Sequence, residues 1–314
     1  MSVTDRSLGG ELEQFRRPLF GYCYRMLGSV HEAEDAVQET MVRAWRGLPR
    51  LVDPSGLRPW VYRIATNVCI DAAHDRRGRA LPMDLAAASD ARGERGSPLP
   101  ESTWVQPVPS RLVDADDPLE RAMSRESVRL AFVAALQHLL PRQRAVLILR
   151  DVLCWRASEV AELLETSVDA VHSTVRRARA ALAAARGGEA AAPGGGGPVD
   201  PRLLERYVDA FERLDVDGIV ALLHRDVILS MPPHSFWLRG RDTVHAWLTA
   251  NGNHCTHVRL VPTEANGGPA VAVYRRGAGG ALEPWGIQVL EWRDGRVVAI
   301  HAFLDATLFG VFGL

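Results

Sequence analysis

The chain has 314 residues, of which 47% are apolar and 24% charged. That is globular composition, long enough for more than one domain with its own core, and it excludes a mainly disordered chain. The net charge of −1 averages a −5 stretch over residues 81–120 and a +5 stretch over residues 121–186. No run approaches the roughly 18 apolar residues of a membrane span, and the N-terminus lacks the basic-then-apolar pattern of a signal peptide. A cytoplasmic location is therefore expected, with no membrane partner.

All 37 basic residues are arginine. Arginine is the better bidentate ligand for phosphate and guanine, but a lysine-free chain is read first as the mark of a GC-rich genome. Cys23, Cys69, Cys154 and Cys255 fit no CxxC or metal spacing, so buried packing thiols are expected, with no metal and no cofactor.

Residues 1–77 read as helical. Leu12, Phe15, Leu19, Tyr22 and Met26 recur at helical spacing. Ser29 and Glu32 form a capping box that starts a second helix near Val30. Its stripe is Ala33, Val37, Met41, Ala44 and Trp45, and its other face carries Glu34, Asp35, Gln38, Glu39, Arg43 and Arg46. A third helix, begun at Pro59, mixes Arg58, Trp60, Tyr62, Arg63, Asn67, Arg76, Arg77 and Arg79. Rings interleaved with arginines suit unpaired bases. The same rings also suit the core of a three-helix unit.

Residues 78–118 are acidic and rich in Pro and Ser, without periodicity, and read as a linker. Residues 119–186 return to helical spacing. One helix is expected to reach about Leu140, and Pro141 opens the next. A short helix then runs from Ser158 to Leu164, with a tight turn at residues 165–167 and a second helix from Val168 to about Ala185. Val160, Leu163 and Leu164 can pack on Val171, Val175 and Ala178, which is the helix-turn-helix pattern. The second helix exposes His172, Ser173, Arg176, Arg177 and Arg179, where phosphates and guanine edges can be met. A solvated arginine face is the alternative.

Residues 187–199 form a Gly/Pro-rich linker. In residues 200–314 the period changes. Two helices (about 200–213 and 216–223), a short strand VILSM and a helix near 240–250 precede four runs rich in Val, Ile and aromatics. The Asp294-Gly295 pair marks a hairpin. The expectation is an α+β domain with a curved antiparallel sheet.

The stretches FRRPLFGYCYRMLGSVHEAEDAVQETMVRAWRGL and RPWVYRIATNVCIDAAHDRRGR closely resemble domain 2 of bacterial RNA polymerase sigma factors. The stretch PRQRAVLILRDVLCWRASEVAELLETSVDAVHSTVRRARAAL resembles their domain 4. With no further helical domain between them, the likeness is to the extracytoplasmic-function (ECF) subfamily of the sigma-70 family. Residues 200–314 look like a SnoaL-like domain of the nuclear-transport-factor-2-like fold, a cone-shaped sheet wrapped by helices around a pocket. The implied fold is multi-domain: two all-α domains, the second with the helix-turn-helix, then an α+β cone-shaped domain.

The resemblance implies roles. Asp35, Gln38, Glu39, Arg43 and Trp45 match the face that docks on core RNA polymerase at the β′ clamp, with the β flap as a further contact. Arg58, Arg63, Asn67, Asp71, Arg76 and Arg77 match the surface that holds the opened minus-ten element, with Leu51 to Gly56 as the loop for a flipped base. The helix bearing His172, Ser173, Arg176, Arg177 and Arg179 would read the minus-thirty-five element as duplex. The 78–118 linker would run through the polymerase interior, with Trp104 and Gln106 as its contacts. Cys154 stands where the family pattern has a glycine, and His172 where Asn or Lys is common.

The resemblance makes the C-terminal domain a regulator acting in cis rather than an enzyme. An enzyme of this fold would use an Asp or His as acid or base. The candidates are His245, His254, His301 and Asp305, walled by Trp237, Trp247, Trp285 and Phe303. His301, Phe303 and Asp305 alternate along one strand and so share a face, which lines a pocket or points elsewhere. A small-molecule ligand there, or packing without one, are both consistent with the sequence. Two further readings stand beside the initiation factor: a one-component DNA-binding regulator, and a small-molecule enzyme or sensor fused to a DNA-binding module.

Overall fold

The structure is a computed structural model that describes residues 10–51, 53–74, 78–113, 127–185, 200–251, 256–277 and 279–314. The chain divides into two units, Met1–Arg79 with Leu112–Ala190, and Ala80–Arg111 with Ala191–Leu314.

In the first unit α1 (Arg16–Leu27) stops at Gly28, whose φ of 71° lets its N–H return to the Tyr24 carbonyl. Ser29 then caps α2 (Val30–Gly47), its hydroxyl accepting the Glu32 N–H at 3.3 Å as the capping pattern predicts. The Glu32 carboxylate also pairs with Arg79 at 2.9 Å, and Arg79 is buried rather than on a nucleic-acid surface. Helix α3 (Leu57–Ala73) packs on both. Leu19, Tyr22, Met26, Ala33, Val37 and Val61 are buried, as their spacing requires. Tyr62 is core too, 2% exposed and edge-on to Tyr22 at 5.5 Å.

The helix expected to reach Leu140 is shorter. α4 spans Leu130–Gln137, and the backbone breaks at Arg129, whose ψ of 142° is not helical. Pro141 does open α5 (Pro141–Leu147), which runs into a π-helical turn, Ile148–Val152. α6 (Ala157–Leu163) and α7 (Val168–Ala185) form the helix-turn-helix, with Val160, Leu163, Val171, Val175 and Ala178 buried between them as expected. Cys154 takes the left-handed conformation, φ 54°, that a glycine would hold without strain.

Two buried arginines join these helices. Arg144 on α5 donates to the carbonyls of Met26, Leu136, Gln137 and Leu139 and to the Gln137 side chain. Arg25 on α1 donates to Gly21 and to Ser127. Desolvation pulls both guanidiniums down to about 10. They stay charged, and Arg144 closes the Met26 carbonyl in the last turn of α1, where a cation is favoured.

In the second unit α8 (Pro201–Glu212), α9 (Val216–Leu222) and α10 (Arg241–Asn251) lie within two residues of their expected bounds. The strands are β1 (Leu223–Ser230), β2 (Trp237–Arg239), β3 (Val258–Ala265), β4 (Gly268–Arg276), β5 (Leu282–Arg293) and β6 (Arg296–Phe303). Their order is β2-β1-β6-β5-β4-β3. The sheet is mixed, not wholly antiparallel, because β1 runs parallel to β6. Asp294-Gly295 makes its hairpin turn with φ of 50° and 73°. Asn266-Gly267 makes a second one between β3 and β4 with φ of 53° and 72°. A short helix, α11 (Leu308–Phe312), ends the chain and sets Phe309 edge-on to Tyr274 at 5.0 Å.

Residues 80–111 do not behave as the free linker their composition suggests. The Ser89 N–H donates to Trp237, the Trp237 indole to Ala86, and the Leu99 N–H to Pro233. Asn266 and Val108 bond in both directions, and Arg111 donates to the carbonyls of Val311 and Phe312. A segment without periodicity can still satisfy its backbone against a neighbour. Trp104 and Gln106, expected to meet polymerase, are 3% and 4% exposed, and the Gln106 amide donates to Glu101 at 2.6 Å.

Candidate functional site

On α2 the buried stripe leaves the opposite face to solvent. Asp35, Gln38, Glu39, Arg43 and Trp45 are all exposed, and Glu39 and Arg43 pair one turn apart at 2.7 Å. Trp45 is 64% exposed, so it is not part of the apolar stripe. The indole, among charges of both signs, is thus open to a partner rather than used in packing.

On α3 the spacing of Arg63, Asn67 and Asp71 places them along one edge. Asn67 and Asp71 are exposed, and Arg63 is half-buried. The Arg58 guanidinium lies 5.2 Å from the Trp155 ring and 6.0 Å from Tyr62. Burial pushes the Tyr62 hydroxyl up to about 12, partly offset by Arg58, so it stays protonated. Arg63 donates to the Glu162 carbonyl at 3.4 Å and lies 3.9 Å from the Glu165 carboxylate. Two of the side chains matched to the minus-ten surface are thus already engaged by the helix-turn-helix part of the same unit. In the loop before α3, Asp53 accepts the Ser55 N–H and hydroxyl and fixes the turn. Arg76 and Arg77 lie outside the described residues.

On α7 His172, Arg176 and Arg177 are exposed and Ser173 is half-buried, all off the buried stripe. Arg177 donates to Thr174. Arg179 is bound through two nitrogens to the Asp151 carboxylate at 2.8 and 2.9 Å, so it is less free for a phosphate than its neighbours.

The cone of the second unit encloses a small apolar chamber of about 40 Å³ whose walls include Phe211, Trp247 and Trp285. Its polar groups include Tyr207, which donates to Gln288 at 2.8 Å, and Arg95 from the preceding segment. Of the residues expected to line a pocket, Trp247 and Trp285 do. His301 and Phe303 do not, because alternation sends Ile300, Ala302 and Leu304 inward instead. His301 is buried against Ser230 on the other face, and burial lowers its pKa, so the imidazole is neutral. Asp305 lies past the strand and caps Thr307. His245 is exposed and pairs with Asp217, and Trp237 bonds to Ala86. His254 lies outside the described residues. The described lining of the chamber thus holds neither the Asp nor the His that an enzyme of this fold would use. Arg95 and Gln288 were missed because strand parity and segment docking are set by tertiary packing; Asn266-Gly267 carried a readable hairpin signal.

Three family descriptions match in the same order: sigma-70 region 2 over residues 12–79, sigma-70 region 4 over 129–182, and a SnoaL-like domain over 204–300. The chain is 45% identical over 309 residues to the ECF RNA polymerase sigma factor SigG of Mycobacterium tuberculosis, covering 96% of this chain and 82% of that one. It is 33% identical to SigJ of the same organism over 69% of this chain and 62% of that one. The crystal structure of SigJ superposes with a TM-score of 0.64 at 24% identity, over 96% of this chain and 98% of that one.

Proposed function

The chain belongs to the extracytoplasmic-function family of RNA polymerase sigma factors, and from that premise we propose how its surfaces divide the work of starting transcription. It is a transcription initiation factor that directs core RNA polymerase to promoter DNA. The α2 face from Asp35 to Trp45 docks on core polymerase, its exposed Trp45 being the anchor. The α3 edge with Arg58, Arg63, Asn67 and Asp71, joined by Arg76 and Arg77, holds the opened minus-ten strand. Helix α7 reads the minus-thirty-five duplex through His172, Ser173, Arg176 and Arg177, with Arg179 positioned by Asp151. The protein acts in the cytoplasm with polymerase, is not itself an enzyme, and carries its SnoaL-like domain as a regulator in cis.

The observation that carries this reading is the exposure of all five α2 residues opposite the buried Ala33, Val37 and Ala44. Run-off transcription with purified core polymerase and fragmented genomic DNA tests it. Discrete transcripts that depend on the added full-length chain, and that Trp45→Ala abolishes, are the expected result. Tight duplex binding without polymerase, and no transcripts, would instead favour a one-component regulator.

A further inference from the structure

Arg95 is a misfit in its surroundings. It belongs to the segment before the cone, yet it lines both the apolar chamber and a larger cavity outside it. Its position is built: the His234 ring bonds to the Gly96 carbonyl at 2.9 Å and the Leu99 N–H to the Pro233 carbonyl at 2.8 Å, both just after it in the chain. Arg95 is half-buried, and no hydrogen bond or ion pair holds it among the described residues. A partly desolvated guanidinium beside indole walls, without a counter-charge, is costly.

The outer cavity measures about 570 Å³, the size of a small-molecule site. Among its described lining, Arg92 and Arg95 stand against one acid, Glu94, beside His234, whose pKa burial lowers. It shares Trp247 with the chamber. The chamber, at about 40 Å³, is too small for a ring, since a cavity of roughly 150 Å³ is needed to take benzene. A ligand larger than that would lie at the mouth, where Arg95 offers a planar fork matched to a carboxylate and Trp247, 5% exposed, only an apolar edge.

We propose that this mouth binds an organic carboxylate, its carboxylate on Arg95 and its apolar body toward the edge of Trp247. The inference rests on the reading of the C-terminal domain as a regulator in cis and gives that regulator a ligand class. Because Arg95 lies in the chain between the two sigma domains, on a segment already bonded to the cone at Ser89, Gly96 and Leu99, the ligand adds to that anchoring. Occupancy of the cone is thereby linked to the freedom of the segment.

The test is titration of the full-length chain with 2-naphthoate, followed by tryptophan fluorescence and calorimetry, beside the neutral 2-naphthalenemethanol. Saturable binding of the acid is expected, weakened about tenfold or more by Arg95→Gln. The alcohol should bind weakly and equally to both proteins. No saturable binding of 2-naphthoate up to about 1 mM, or equal affinity for acid and alcohol in both proteins, would overturn the proposal. Run-off transcription with and without the acid separates the two readings. Binding through Arg95 that leaves transcription unchanged upholds the site and counts against regulation in cis alone.

Discussion

His301 is 1% exposed, with the Ser230 hydroxyl 2.8 Å from Nδ1 and the Glu291 carboxylate 3.9 Å from Nε2. Burial lowers its pKa from the ordinary 6.5, and Glu291 offsets this only in part. The folded chain therefore binds fewer protons here than the unfolded one, and stability falls as pH drops below the unfolded value. The urea midpoint of the full chain should fall between about pH 7 and about pH 5, and His301→Gln should flatten that slope. An unchanged slope would mean that Glu291 keeps the ring as basic as in water. Arg144 makes a stability prediction of another kind. Arg144→Met would leave the carbonyls of Met26, Leu136, Gln137 and Leu139 without their donor. Urea unfolding should register a loss of about 3 kcal/mol or more, since several buried acceptors go unpaired at once.

At the scale of the element, α7 separates residues that its sequence presents alike. Arg176, Arg177 and Arg179 share the exposed face, but only Arg179 is bound to Asp151. If the first two meet phosphates, Arg176→Gln should lower the slope of log affinity against log salt by about 1 on a promoter duplex. Arg179→Gln should change it by less, because the charge lost was already paired. Equal slopes in a salt titration would show that the Asp151 pair opens on DNA. The helices and the helix-turn-helix were legible in the sequence because periodicity, Ser29, Pro141 and the 165–167 turn are local signals. The exposed face of α2 was legible too, as polar residues opposite Ala33 and Val37. What was not legible depended on distant partners. The β1–β6 pairing, the direction of His301 and the anchoring of residues 80–111 are decided by which strand or loop arrives alongside, and no local spacing records that.

For the first unit as a whole, size sets a constraint. About 150 residues in a compact body span roughly 40 Å. Elements centred at minus ten and minus thirty-five are 25 base pairs apart by name, roughly 85 Å along a duplex. In the structure Arg58 lies against Trp155, and Arg63 against Glu162 and Glu165. Two of the side chains proposed for the minus-ten strand are therefore taken up by the part proposed to read the other element. On the proposed reading, engagement of both elements requires this packing to open, which breaks, among other contacts, the tilted Tyr62–Trp155 pair at 5.1 Å, the Arg58 and Arg63 contacts, the Gln137–Arg25 bond and the buried Arg25 and Arg144 bonds. Donor and acceptor dyes on the exposed Cys154 and on Glu34→Cys, with Cys255→Ser, would report the distance. Energy transfer should fall when core polymerase is added. It should already be lower in free Trp155→Ala, which loses the ring pair while far-ultraviolet circular dichroism checks that the helices persist. Transfer that stays constant while run-off transcripts accumulate would mean the two parts read the promoter without separating, and the contacts of Arg58 and Arg63 would then have to be part of the open complex itself.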